Sequence, residues 1–378
     1  MAGGTTEYLQ DKIADVLTTV FSGRIMDEAA LKTAARTDGR LFHYGQAETY
    51  TLEEPSRPAD TLVSLRERTG EYSVPRPFVA TLPDVVLRGT YPVATKDAKL
   101  VVEPTCRVHE ILANAYYTAR RPGRAVRRRS DLEIDEACLL FNSQSSGYFH
   151  WIVEHLSRVE GLVEYERRTG TRPSIIVPPD MTAFQKESLR LLGYDEDDWL
   201  LWDTFQATVD TLVVPSVRRE YDDGIAAPAS IEWLRSEMIS SGMPSEFTQP
   251  DGTRLYVSRE DAGRRRVSNE EEIFEMLSSY GFEKVRPGEL SEEQAVQTFN
   301  RAELIAGPHG AGLTNMIYSE DCAIVELLPN DTYSWAYYVL AQQLEFEYCY
   351  LLGDDSEAGT DFGVPVEVLE GLVQEIIS

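Results

Sequence analysis

The chain has 378 residues, 42% of them hydrophobic and 10% aromatic, which excludes a disordered chain and suggests two domains at roughly 100–200 residues each. With 63 acidic against 36 basic residues the net charge is −27, which argues against non-specific nucleic-acid binding and against docking to an anionic membrane by charge alone. Such an excess suits a protein kept soluble in high salt, so a halophile cytoplasm is the working hypothesis. In chain order, Leu9, Ile13, Val16, Leu17 and Val20 fall at helical spacing and predict an opening amphipathic helix. Residues 30–131 carry Pro55, Pro58, Pro75, Pro77, Pro83 and Pro92, which punctuate short strand-like pieces such as 99–102. A basic run from Arg120 to Arg129 is read as a solvated loop.

From Asp135 the pattern turns to alternating α/β. A strand over 137–141 is followed by a polar loop over 142–147, then a long helix from Tyr148 to about Arg168 that stops near Gly170. A strand over 174–177, a helix over 182–192 with Gly193 as its stop, and a strand over 211–214 continue the alternation. Strands alternating with helices predict a parallel sheet covered on both faces. Residues 228–250 read as a crossing segment with a helix over 230–240, and the domain boundary is placed there.

The C-terminal half repeats the logic. A strand over 254–257 precedes Ser268 and Glu271, a capping box opening a helix that ends at Gly281. A strand over 283–286 precedes a second box, Ser291 with Gln294, and a helix to about Arg301. A strand over 304–306 runs into Gly307-Pro308-His309-Gly310-Ala311-Gly312 and a short helix to Tyr318; a last strand covers 323–327. This is a Rossmann-like pattern, with ligands expected outside the carboxyl ends of the strands. The predicted organisation is an N-terminal extension (1–60), an N-terminal α/β domain (61–243) and a C-terminal Rossmann-like domain (244–378), whose last helix could pack back on the domain before it.

Three constellations could carry chemistry. The glycine turn joins a strand to a helix start, where unpaired backbone N–H groups and the helix dipole favour an anion. Gly307, Gly310 and Gly312 are spaced to let a phosphate approach the backbone. The turn is neither a Walker loop nor the usual dinucleotide fingerprint, and a plain αβ turn fits as well; His309 tips the balance toward a ligand site. Arg259, directly after the first strand of this half, is a candidate phosphate ligand, whereas Arg265 and Arg266 read as a solvated face. Glu326 ends the following strand, where a ribose contact and a surface position fit the spacing equally.

The third constellation is the helix 148–158. Phe149, Ile152, Leu156, Val159 and Val163 form its buried stripe, and His150, Glu154 and Arg158 follow at i, i+4 on an adjoining face. A histidine oriented by Glu154 could take a proton from a hydroxyl; from spacing alone a surface pair is the plainer reading. The order of residues lacks HExxH, which excludes a zincin, and there is no Gly-x-Ser-x-Gly nucleophile. Cys106, Cys138, Cys322 and Cys349 are too scattered for a zinc site or a disulfide framework. The N-terminus lacks a secretion-signal pattern, and no apolar run approaches the ~20 residues of a membrane span. The expected location is cytoplasmic, with peripheral membrane contact through a partner left open.

At these residues the chain resembles glycosyltransferase family 61, the group that includes plant xylosyl- and arabinosyltransferases and many capsular-polysaccharide enzymes. Residues 148–158 resemble its HW-x-x-E-x-L-x-R segment, 256–271 its S-R-x…R-x-x-x-N-E segment, and 305–326 its G-x-H-G-A-G-L-x-N…E segment. Ser157 departs from a common proline. The resemblance implies a GT-B-like α/β fold, two Rossmann-like domains facing across a cleft. It implies inverting transfer of a hexosyl, pentosyl or N-acetylhexosaminyl group from a nucleotide-sugar, without a bound metal or other cofactor. The acceptor would be a hydroxyl of a glycan or lipid-linked glycan. Residue by residue it places Arg259 and His309 on the donor diphosphate, Gly310, Ala311, Gly312 and Asn315 in the donor turn, Glu326 on the ribose, and His150 with Glu154 on the acceptor side. The competing expectation is a non-catalytic nucleotide- or sugar-binding subunit, which would bind a nucleotide without consuming a donor.

Overall fold

A computed structural model describes residues 24–55, 62–105, 132–217, 227–244, 252–330, 335–354 and 361–378. The predicted opening helix and the basic run of Arg120–Arg129 lie outside the described residues. The described chain is mixed α/β and divides into two units: one spans 1–48 and 74–226, the other 49–73 and 227–378.

The first unit is built on a nine-stranded sheet. Its strands are β1 (Ile25–Met26), β2 (Leu41–His43), β3 (Phe78–Arg88), β4 (Val93–Lys96), β5 (Lys99–Val101), β6 (Leu132–Leu139), β7 (Ser174–Val177), β8 (Trp199–Leu201) and β9 (Gln206–Pro215). The order is β1-β5-β4-β3-β9-β6-β7-β8, with β2 also on β3. The predicted parallel sheet is only half of this. β9, β6, β7 and β8 pair in parallel, as βαβ connections demand, through α2 (Val159–Thr169) and α3 (Ala183–Leu191). The region of scattered prolines adds antiparallel β3, β4 and β5 to the other edge of β9. Proline punctuation misleads here, because β3 runs straight through Pro83. On its outer side β3 pairs β2 at residues 78–80 and β4 at 86–88, so Pro83 sits in the gap between them, where no donor is required. Asp84 beside it takes a left-handed φ of 53°. Leu31 and Ala35 of α1 (Glu28–Asp38) close the core against Phe78, Leu82 and Leu212.

The predicted long helix after the 142–147 loop is not one α-helix. It opens with a π-helical turn, His150–His155, continues as a 3-10 turn, Leu156–Arg158, and becomes α-helical only in α2. It ends as predicted, at Gly170, whose φ of 74° takes the left-handed C-cap. The i→i+5 turn is wider than an α-turn, so the 3.6-residue stripe does not survive it. All residues from 151 to 159 are buried, including Glu154 and Arg158, while Val163 of the predicted stripe is 43% exposed.

The second unit holds a five-stranded parallel sheet: β10 (Thr253–Val257), β11 (Phe282–Val285), β12 (Ala302–Pro308), β13 (Ala323–Leu328) and β14 (Glu347–Leu352), in the order β11-β10-β12-β13-β14. Counted within the unit this is 2-1-3-4-5, a doubly wound order. Its helices are α4 (Pro228–Gly242), α5 (Glu270–Ser279), α6 (Glu292–Asn300), α7 (Ala336–Gln343) and α8 (Val366–Ile377). Ile273 and Leu277 of α5 and Leu369 and Val373 of α8 bury one face of the sheet with Tyr256, Leu304 and Val325. The predicted Ser291–Gln294 capping box forms on α6. The one predicted at Ser268 does not: α5 starts after Asn269, and the Asn269 amide is used to hold Val364 through two hydrogen bonds.

The division between units falls at 226/227 and not at 243/244. α4 belongs to the second unit because Gly242 packs on Val296 of α6, Gln297 Nε2 donates to the Gly242 carbonyl, and Arg235 donates to the Ser319 carbonyl. The short paired strands Glu48–Leu52 and Gly70–Val74 bracket a segment that also joins this unit. There the Leu62 N–H donates to Tyr350 Oη at 2.8 Å and Tyr338 Oη donates to the Glu53 carbonyl. Among the described residues no helix is long and apolar enough to cross a membrane.

Candidate active site

In a 2-1-3-4-5 sheet the chain departs to opposite sides of the first and third strands, and a crevice opens between their carboxyl ends. Here those strands are β10 and β12. Arg259 follows β10 by two residues and His309 follows β12 by one. The fold therefore brings together two candidates that are 50 positions apart in the sequence.

The contact is direct. A β-carbon on Gly310 would fall 1.7 Å from Arg259 Nη1, so the guanidinium lies on the space that glycine leaves open. Gly307 and Gly312 have different work. A β-carbon on Gly307 would strike the Val257 carbonyl oxygen at 2.8 Å, and one on Gly312 would strike Val257 Cγ1 at 2.9 Å. Beyond the phosphate approach expected of them, Gly307 and Gly312 leave room for the end of β10 and Gly310 leaves room for an arginine. The backbone N–H groups of half-exposed Ala311 and Gly312 open a 3-10 helix, Ala311–Tyr318. Asn315 is buried, and its amide donates to the Gly312 carbonyl at 2.8 Å, so it braces the turn.

Arg265 is the functional candidate that sequence reasoning assigned to a solvated face. It is half-buried with a left-handed φ of 58°, and its guanidinium repels that of Arg259. Arg266, by contrast, is exposed and paired with Asp361 at 2.6 Å. Burial lowers both Arg259 and Arg265 below the ordinary arginine value, and their mutual repulsion pulls Arg265 further down. Among the described residues Arg259 Nη2 donates only to the Arg264 carbonyl at 3.3 Å, and the Nε atoms of both are buried without a hydrogen-bond partner. Among the described residues neither makes an ion pair. Desolvated guanidiniums left in this state favour an anion. The loop is anchored by a parallel bridge from Val267 to Phe362, so the C-terminal segment fixes where Arg265 stands.

Glu326 does not face outward. It is 1% exposed; one oxygen touches His309 Nδ1 and the other accepts from Tyr348 Oη at 2.5 Å. The residue that the resemblance places on the ribose thus has each oxygen engaged once inside the second unit. Tyr337 lies edge-on to the His309 ring, centroids 5.1 Å apart, and burial pushes its phenol up. Neither Tyr337 nor Tyr348 was legible as a site residue, because both approach from elements far along the chain. Among the described residues no group of three or more His, Cys, Asp or Glu side chains is placed to hold a metal ion.

In the first unit His150 Nδ1 lies 3.1 Å from Glu154 Oε2. The two side chains are within ion-pair distance, although Nδ1 is not aligned for a hydrogen bond, and their setting differs from a surface pair. The Glu154 side chain is 3% exposed and that of His150 is 31% exposed, so a carboxylate in the wall stands behind a ring at the surface. The π-helical turn supplies this, and such turns occur frequently at functional sites. The polar 142–147 loop is tied to the same turn: His155 Nε2 lies 3.2 Å from Asn142 Oδ1, and Gln185 Nε2 donates to the Ser145 carbonyl at 2.9 Å. Trp151 Nε1 donates to Ser188 Oγ at 2.9 Å, and Arg158 Nη2 to the Leu139 carbonyl at 3.1 Å. His155 and Asn142 were missed because nothing in their spacing pairs them.

No curated protein matches the chain. The family model described as Glycosyltransferase 61 matches residues 148–325, a segment that opens two residues before His150, contains Arg259, Arg265 and the whole His309 turn, and stops one residue short of Glu326. The match spans a little under half of the 378-residue chain and makes it similar to glycosyltransferase family 61.

Proposed function

We propose that this chain is an inverting glycosyltransferase that moves a sugar from a nucleotide-sugar donor to an acceptor hydroxyl. The second unit binds the donor diphosphate and the first unit faces the acceptor, in a GT-B-like enzyme of surface-polysaccharide or glycan biosynthesis. The observation that carries this reading is the Arg259 guanidinium, half-buried, seated on Gly310 next to His309, and without an ion pair among the described residues. A desolvated cation at the switch point of a doubly wound sheet suits a phosphate group.

The reaction is a single displacement. The acceptor oxygen forms a bond to the anomeric carbon while the bond from that carbon to the diphosphate oxygen breaks on the opposite face. His150, backed by Glu154, takes the acceptor's proton. Arg259, Arg265, His309 and the N–H groups of Ala311 and Gly312 stabilise the charge that develops on the leaving diphosphate. These cations carry the charge without a bound metal, so turnover should survive exhaustive chelation.

The test is calorimetric titration of the full chain with a panel of nucleoside diphosphates, followed by product analysis with the matching nucleotide-sugar. Binding of at least one nucleoside diphosphate, and a product of inverted anomeric configuration, are expected. Absence of binding across the panel, or a retained configuration, rejects the proposal.

A further inference from the structure

The second unit holds a carboxylate that the displacement does not use. Glu326 accepts from two directions: one oxygen faces His309 Nδ1, the other takes the Tyr348 hydroxyl at 2.5 Å. A carboxylate only accepts hydrogen bonds, so the proton shared with Nδ1 belongs to the ring. Burial and then the Glu326 charge hold the Tyr348 phenol well above its ordinary value, so that hydroxyl remains a donor. The register makes this arrangement rigid. Glu326 stands opposite Gly307 on neighbouring strands, and the His309 N–H donates to the Leu327 carbonyl at 2.9 Å. His309 and Glu326 thus sit on two strands locked side by side.

We propose that Glu326 is a positioning residue for His309 and not a ligand contact. With Tyr348 behind it, Glu326 pins the proton on Nδ1, so Nε2 is the ring atom turned to the anion. This rests on the diphosphate reading above. Nε2 makes no hydrogen bond among the described residues. Tyr337 from α7 lies edge-on to the ring, the Arg259 and Arg265 guanidiniums from the loop after β10 act on Tyr337, and Arg265 also feels the Glu326 charge. A ring held in one tautomer and one orientation presents Nε2 without reorganisation when the ligand arrives.

The experiment uses inorganic pyrophosphate, which has phosphate but no ribose, beside the best-bound nucleoside diphosphate. Glu326→Gln should weaken pyrophosphate about tenfold, the size of one charge-assisted hydrogen bond. The double variant Glu326→Gln with His309→Ala should bind it no worse than His309→Ala alone, because residues acting through one another are not additive. Nitrogen-15 NMR of the imidazoles, with His309→Ala assigning the signal, should show the wild-type ring protonated on Nδ1 and the Glu326→Gln ring partly on Nε2. Three results overturn the proposal: unchanged pyrophosphate affinity with a loss confined to the nucleoside diphosphate, fully additive losses, or a wild-type ring protonated on Nε2. Should the wild type bind neither probe, the diphosphate reading falls, while the ring spectra still decide whether Glu326 fixes the tautomer. If Glu326→Gln does not fold, Tyr348→Phe, which releases one oxygen only, carries the same comparisons with a smaller loss.

Discussion

Each unit holds a histidine whose Nδ1 meets a buried glutamate, yet the two pairs are built in opposite ways. His150 and Glu154 are four residues apart on one π-helical turn, and the His150 ring is about one-third exposed. His309 and Glu326 are 17 residues apart on neighbouring strands, and the His309 ring is nearly enclosed, with arginines close by. The first arrangement leaves a ring able to exchange a proton with whatever approaches it. The second leaves a ring with one fixed face in a positively charged setting. The same two side chains thus suit proton transfer in one place and electrostatic stabilisation in the other, and the backbone that carries them makes the difference.

Mutations can break this comparison. The largest effect is expected from His150→Ala, which should lower turnover about 10²- to 10⁴-fold while leaving nucleoside diphosphate affinity unchanged. A loss of donor affinity with turnover intact would exchange the roles of the two histidines. Next, Arg259→Ala with Arg265→Ala should weaken the same ligand roughly a hundredfold, the scale of two hydrogen bonds from charged groups, by isothermal titration. Retained affinity would show that the second unit's cations do not serve an anion.

Gly310→Ala sharpens the point more gently. The added methyl would collide with the Arg259 guanidinium and push it from its seat, so an affinity loss of about tenfold is expected, with little change in the melting temperature. A stability loss without an affinity loss would make Gly310 a packing residue like Gly307.

The smallest effect concerns an ordinary ion pair in α2, near the His150 turn. The hydrogen bonds from Arg167 and then Arg168 hold the Glu164 carboxyl at about 2, below its ordinary 4.5. Its folded value is depressed, so its contribution is present above pH 4.5 and is lost as the pH falls toward 2. Glu164→Gln should therefore lower stability at pH 7 by at most about 1 kcal/mol, since the arginines reach into solvent, and the difference should vanish near pH 2. Turnover should not change. Thermal melts across that range, with an activity assay at pH 7, separate this structural pair from the two histidine pairs.

The local features were legible because their causes are local. The Gly170 stop, the Ser291–Gln294 capping box and the strand–turn–helix at His309 each follow from residues within a few positions of one another. So does the His150–Glu154 pairing, although its burial does not. Where the reading failed, the deciding partner was remote. Pro83 passes through β3 because two other strands leave a gap beside it; Ser268 forms no cap because Asn269 is held by the 361–364 segment; and Arg265 is drawn into the site because Val267 pairs with Phe362. Glu326 shows the same limit most clearly. Its position after the glycine turn was visible, but its direction was set by the β12–β13 register and by Tyr348 from β14. Residue spacing along the chain fixed which side chains could be neighbours on one element. Only the pairing of strands determined which carboxylate oxygen found an imidazole, because that contact depends on distances across the sheet that no periodicity encodes.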